Sequence, residues 1–189
     1  MSKHVSCADT AKLIRQALKE AFKGVKFTVR SSTYSGGASI NIGWTDGPNT
    51  AQVEAVAKRF SGAYFDGQQD YKGCTFALLD GQVVRFGADF VFCTRTHSAG
   101  LIGKACASVA RRFGMAFVPT AADFKAGRLH EIYASESAWG RTVGQLVRED
   151  LAKRSDRLSV GHSKTAARVI YLGNDGHSEV AALAGEAVA

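Results

Sequence analysis

Val25-Lys26-Phe27-Thr28-Val29-Arg30 and Ala38-Ser39-Ile40-Asn41-Ile42-Gly43-Trp44 are two alternating runs, joined by Ser31-Ser32-Thr33-Tyr34-Ser35-Gly36-Gly37. In the first, Val25, Phe27 and Val29 alternate with Lys26, Thr28 and Arg30. In the second, Ala38, Ile40, Ile42 and Trp44 alternate with Ser39, Asn41 and Gly43. A period of two is the signature of a strand with one buried and one wet face. The joining segment predicts a hairpin with a long, hydroxyl-rich tip closed by two glycines.

Upstream, Leu13, Ile14, Ala17, Leu18 and Ala21 recur at helical spacing, with Ser6 or Asp9 placed to cap the start and Gly24 to end the helix. Downstream, Thr45 to Asn49 reads as a turn feeding a second helix with Val53, Val56, Ala57 and Phe60 inward. Ala63 to Gly73 reads as a loop anchored by aromatic residues. Thr75–Leu79 and Gln82–Phe86 flank Asp80-Gly81, a favoured two-residue hairpin turn. Alternation continues to Arg95, with Gly87 as a kink. After His97 the period becomes helical: Ile102, Ala105, Cys106, Val109 and Phe113, then a turn at Ala122 to Lys125, then Val143 to Arg154. Ala167 to Leu172 suits an edge strand or a docked tail. The order α-β-β-α-β-β followed by helices predicts an α+β fold, a mainly antiparallel sheet with packed helices. The expected organisation is a domain over 1–95, a basic helical extension over 96–168 packed on it, and an acidic Ala/Gly-rich tail over 169–189.

The chain has 189 residues, 46% of them hydrophobic and 22% charged, which excludes disorder over its whole length. Its net charge of +7 is uneven. Residues 1–95 hold 12 basic and 8 acidic residues, 96–168 hold 12 and 6, and the tail holds three acids and no Lys or Arg. A basic excess favours an anionic partner. No apolar run reaches the roughly 18 residues of a membrane span. Met1–Thr10 lacks the apolar run of a signal peptide, so no membrane and a cytoplasmic location are the expectation. The four scattered cysteines form no CxxC pair and read as free, mostly buried thiols.

Two features point to anion contact. The hydroxyls of Ser31, Ser32, Tyr34 and Ser35, with Arg30 at their base and amides near Gly36 and Gly37, suit a phosphate. Equally, such hydroxyls satisfy their own turn. The basic cluster of Arg141, Arg148, Lys153, Arg154, Arg157, Lys164 and Arg168, with Arg111 and Arg112, suits a phosphate backbone; Glu149, Asp150 and Asp156 lie among these residues as counter-charges. Catalytic and metal motifs fail on inspection. Cys93 and His97 lack further ligands for zinc. Gly161-His162-Ser163-Lys164-Thr165 lacks the glycine that precedes the lysine of a P-loop. No metal, no cofactor and no catalytic residue is expected.

Several blocks together carry a resemblance: Ala8-Asp9-Thr10-Ala11-Lys12-Leu13-Ile14, Gly24-Val25-Lys26-Phe27, Trp44-Thr45-Asp46-Gly47-Pro48, Phe65-Asp66-Gly67 and Phe86-Gly87-Ala88-Asp89-Phe90-Val91-Phe92. Over roughly residues 7–95 the chain resembles the large polyvalent protein-associated domain, group 29. The resemblance implies a mobile element in a bacterium. Members occur in phage and plasmid proteins, often very large chains thought to enter a new host with the invading DNA and to blunt its defences. The family has no established catalytic residues to carry over. The expectation is a non-enzymatic binding protein of a phage or plasmid, acting in counter-defence (CRISPR or restriction inhibition) or DNA handling. It would contact DNA or RNA, or a host nucleic-acid-binding defence complex, through Arg30, Ser31, Ser32, Tyr34, Ser35, Arg111, Arg112, Arg148, Lys153, Arg154 and Arg157. The alternatives are a protein–protein inhibitor without nucleic-acid contact and an enzyme with a pocket near Arg30, Tyr34 and Asp66.

Overall fold

A computed structural model of the chain describes residues 2–134, 138 and 140–177. The chain divides into two compact units. One comprises Met1–Trp44, Ala51–Thr94 and Ser159–Ala189; the other comprises Thr45–Thr50 and Arg95–Leu158. The part of the expected acidic Ala/Gly-rich tail beyond residue 177 lies outside the described residues.

The first unit opens with strand β1 (Lys3–Val5) and helix α1 (Cys7–Ala21). Ser6 caps α1 by accepting the Asp9 amide at 3.1 Å, and the helix buries Ile14, Ala17, Leu18 and Ala21. The hairpin follows, with one correction. Strand β2 spans Thr28–Tyr34 and β3 spans Gly37–Thr45, paired from Thr28 opposite Gly43 to Tyr34 opposite Gly37. The expected loop over Ser31–Gly37 is therefore strand up to Tyr34, and the turn is only Ser35-Gly36. Thr33 and Tyr34 favour a pleated strand, and Gly36, at φ +89°, closes a two-residue turn. Val25 and Phe27 precede the strand; Phe27 wedges between Phe22 and Trp44, each ring 5.7 Å away.

Helix α2 (Thr50–Ala57) runs into a 3-10 turn at Lys58–Phe60. The aromatic segment expected as a loop is a second hairpin, β4 (Ala63–Asp66) with β5 (Tyr71–Leu79). Tyr64, Phe65 and Tyr71 favour strand, while Asp66 builds the turn by accepting the Gln68 and Gln69 amides at 2.9 and 3.3 Å. Strand β6 (Gln82–Phe86) returns on β5 through Asp80-Gly81, both at positive φ, as the sequence indicates. Strand β7 (Phe90–Thr96) joins β3, giving a sheet in the order β2-β3-β7.

The other sheet takes strands from both ends of the chain. Strand β1 lies parallel to β6, and β8 (Val169–Asn174) lies antiparallel to β5. The fold is α+β, and the pairings β2–β3, β4–β5, β5–β6 and β5–β8 are antiparallel. The core beneath is dominated by Ile14, Leu18, Phe22, Ile40, Phe60 and Phe86. The Phe60 and Phe86 rings meet edge-on at 5.4 Å.

The second unit is helical. Helix α3 (Ala99–Arg112) is capped by Ser98. Helix α4 (Ala121–Lys125) and helix α5 (Val143–Lys153) each begin with a capping box, Thr120 with Asp123 and Thr142 with Gln145. Ile102, Cys106 and Val109 on α3 face Leu146, Val147 and Leu151 on α5 in a separate core. Arg95 ties this unit together. Its guanidinium donates to the carbonyls of Asp46 and Gly47, both at 3.0 Å, and to those of Leu151 and Arg154 at 3.2 and 2.8 Å. The last two are carbonyls at the end of α5, where helix geometry leaves them without amide partners.

Gly62 has the least room for a side chain among the described glycines. Its amide donates to the Ala88 carbonyl at 2.8 Å, and a Cβ there would sit 1.7 Å from the Phe86 carbonyl oxygen. Gly62→Ala is expected to destabilise the chain by about 3 kcal/mol or more, because backbone must move. Gly103→Ala, in the middle of α3 with nothing within 4 Å of the added carbon, is expected to stabilise it by about 0.5–1 kcal/mol. Chemical denaturation of the two variants beside the parent checks both signs.

Candidate functional site

The sequence-selected residues fall into two groups, one in each unit. Arg30, Ser31, Ser32 and Tyr34 stand on β2 and Ser35 in its turn, all exposed. The period of two places Arg30, Ser32 and Tyr34 on one face and Ser31 on the other. The amides expected to cradle an external anion include one already engaged. The Ala38 amide donates to Asp89 Oδ2 at 3.1 Å, and Lys72 Nζ lies 3.0 Å from the same oxygen and 2.8 Å from the Gly36 carbonyl. The anion beside the turn of this hairpin is thus the chain's own buried Asp89. Strand β2 has a different resource. It is the outer strand of its sheet, and the Val29 carbonyl faces away from β3 to accept Arg15 Nη2 at 2.8 Å. Antiparallel alternation then turns the backbone groups of Ser31 and Thr33 outward too.

The second group lies on and after α3 and α5. Arg111 and Arg112 end α3, and the Arg112 guanidinium sits 5.3 Å above the Phe113 ring. Arg148 Nη2 is 2.8 Å from His130 Nδ1, and Lys153 ends α5. Arg154 pairs with Asp150 one turn earlier, and Arg157 holds both oxygens of Asp156 at 2.7 and 2.8 Å. Two more cations of the cluster hold carboxylates, Arg141 with Glu149 at 2.8 Å and Arg168 with Asp80. The cluster is therefore less charged as a surface than as a sequence. Lys104, Arg111, Arg112, Arg148 and Lys153 have no carboxylate partner among the described residues.

Titratable groups elsewhere fasten the chain. Glu20 on α1 accepts the Thr165 amide at 2.9 Å, Ser163 Oγ at 2.8 Å and Thr165 Oγ1 at 3.0 Å. These bonds, the Thr165 amide foremost, hold its carboxyl down to about 2. The Ser-Lys-Thr stretch that fails as a P-loop thus starts helix α6 (Lys164–Ala167) on an internal carboxylate. Asp175 accepts Tyr64 Oη at 2.7 Å, the Cys74 amide at 2.7 Å and Tyr71 Oη at 3.0 Å. Although burial raises its pKa, these donors bring it to about 2. Burial pushes the Cys93 thiol up to about 11, the reverse of what a nucleophile needs. Asp66, named for an enzyme pocket with Arg30 and Tyr34, has Oδ1 committed to its own turn. Among the described residues no three His, Cys, Asp or Glu side chains gather to hold a metal, and no helix is long and apolar enough to cross a membrane.

Sequence reasoning missed a concavity of about 740 Å³ in the first unit, between the 3-10 turn, β4, β5 and β8. Its walls come from four distant segments, and only the exposed Phe65 and Ile170 hint at it.

The fold and these tie points define an α+β domain. Residues 5–98 match the family model of the large polyvalent protein associated domain 29, and this part of the chain belongs to that family. The family places the chain among phage- and plasmid-associated polyvalent proteins. No curated protein and no solved structure matches it. The motif residues in the matched segment serve as anchors. Asp46 Oδ1 accepts the Ser98 amide at 2.8 Å, Asp66 makes its turn, the Gly87 amide donates to the Val5 carbonyl at 2.7 Å, and Asp89 joins Ala38 to Lys72.

Both Glu20 and Asp175 have pKa values depressed by folding, from ordinary values of 4.5 and 3.8 to about 2. Their stabilisation is fully present above the unfolded values and is lost as pH falls from about 4.5 through 2. Glu20→Gln is expected to lower Tm by about 3–6 °C at pH 7 and to flatten its fall across that window. Thermal melts from pH 6 to 2 measure both effects.

Proposed function

We propose that the protein is a non-catalytic binding protein of a phage or plasmid that contacts nucleic acid, or a nucleic-acid-bound host complex, in counter-defence or DNA handling. The family setting supplies the context. The observation that carries the contact is the division among the cations of the second unit. Arg141, Arg154 and Arg157 hold their own carboxylates, while Lys104, Arg111, Arg112, Arg148 and Lys153 pair with no carboxylate among the described residues. Unpaired surface cations exchange their counterions for phosphates, and the released ions drive binding. Arg111, Arg112 and Lys153, at the ends of α3 and α5, also find their positive charges favoured there by the helix dipoles.

A second reading has its own support. The open edge of β2, with Arg30 and the 51% exposed Tyr34, is suited to pairing with an extended segment of a host protein. Anisotropy titrations with duplex DNA and single-stranded RNA at 50 and 200 mM salt separate the two. If about four phosphates are contacted, log K falls against log salt with a slope of about −3 to −4. Arg111→Glu with Arg112→Glu is expected to weaken binding about 10-fold or more, and Arg157→Glu by much less. Absence of binding to either polymer at 50 mM salt overturns the first reading. Capture of a host complex that survives nuclease treatment and fails in a Thr33→Pro variant then supports the second.

A further inference from the structure

The concavity beside β8 has largely apolar walls and, among the described residues, one rim cation without a carboxylate partner, Arg59. Strand β8 carries a bulge opposite Phe76/Ala77: Phe76 pairs with Gly173 and Ala77 with Tyr171, so Leu172 is the extra residue. A bulge re-aims the neighbouring side chains, and such irregularities recur next to binding sites. Phe65, Phe76, Ile170 and Tyr171 line the apolar side. Phe65 and Ile170 are 53% and 59% exposed, large apolar groups held open to solvent.

The polar groups of the walls are mostly engaged within the chain. Ser61 Oγ donates to the carbonyls of Ala63 and Asp89 at 3.0 and 2.9 Å, Thr75 Oγ1 to that of Ser61 at 2.8 Å, and Tyr64 Oη to Asp175 at 2.7 Å. Tyr171 Oη accepts Asn174 Nδ2 at 3.3 Å. The two rim cations differ. Lys58 pairs with Glu54 at 3.1 Å. Arg59 uses Nε on the Ala55 carbonyl at 3.3 Å, and no carboxylate pairs with its guanidinium among the described residues. A guanidinium at the mouth of an apolar pocket selects a ligand with one anionic end and an apolar body. A volume of about 740 Å³ is within the range of small-ligand sites, roughly 300–1,000 Å³.

We infer that this pocket binds a small amphipathic anion, its carboxylate or sulfonate on Arg59 and its apolar body against Phe65, Phe76 and Ile170. The site is independent of the cations of α3 and α5 and of the edge of β2.

Titration of 1-anilinonaphthalene-8-sulfonate into the full chain, read by dye fluorescence, is expected to saturate at one site per chain. Arg59→Glu is expected to weaken the dye at least 10-fold. Ile170→Trp, which fills the pocket from an exposed position, is expected to do the same. Lys12→Glu, an equal charge change on α1, leaves the affinity unchanged, and circular-dichroism melts verify that each variant is folded. Octanoate is expected to displace the dye at a concentration at least 10-fold below that of 1-octanol. Absence of saturable binding, equal affinities in Arg59→Glu and Lys12→Glu, or equal displacement by the acid and the alcohol would each overturn the assignment. None of these readouts involves nucleic acid, so loss of the site and loss of polyanion binding are separable.

Discussion

Strand β5 is the constraint on which the larger sheet depends. Its first residues pair with β4, its last with β6, and Thr75–Leu79 with β8. Remove it and β4, β6 and β8 lose the partner that satisfies their backbone groups, and β1 remains attached only to β6. The side chains that secure it are polar as well as apolar. The carboxylate of Asp175 gathers two phenols and the Cys74 amide at the point where β8 leaves the sheet. Glu20, from α1, does similar work ahead of β8, fixing the start of α6 just before that strand begins. The sheet is thus completed by contacts between residues more than a hundred positions apart, a costly closure that the two charge-assisted clusters offset.

Periodicity made much of this fold legible. The α1 stripe, the Asp80-Gly81 hairpin and the helices α3 and α5 follow from local spacing alone, because each buries one face at the period of its own element. Two errors share a cause. Ser31–Gly37 and Ala63–Gly73, expected as loops, are rich in hydroxyl and aromatic residues whose strand propensity prevails over their polar composition. Both are hairpins whose real turns are two to four residues long and rest on Gly36 and Asp66. Strand β1 was invisible because three residues carry no period.

The candidate contacts were legible as charge and illegible as pairing. Sequence spacing shows Asp150 near Arg154 and Asp156 beside Arg157, but not that these acids take those cations rather than Arg111 or Lys153. The partner of Arg168, Asp80, lies 88 positions away, and no local pattern reveals it. The Arg59 pocket escapes for the same reason: a concavity is a property of segments brought together, and its lining residues look unremarkable one by one.

The matched family segment stops at residue 98, yet β8 and α6 come from beyond residue 160. In covalent order the helical unit is an insertion, and the sheet is finished only after the chain has passed through it. A polypeptide cut at residue 98 would carry β5 with one naked flank, two phenols without their carboxylate, and Glu20 facing solvent. The missing strand could then be supplied by another molecule.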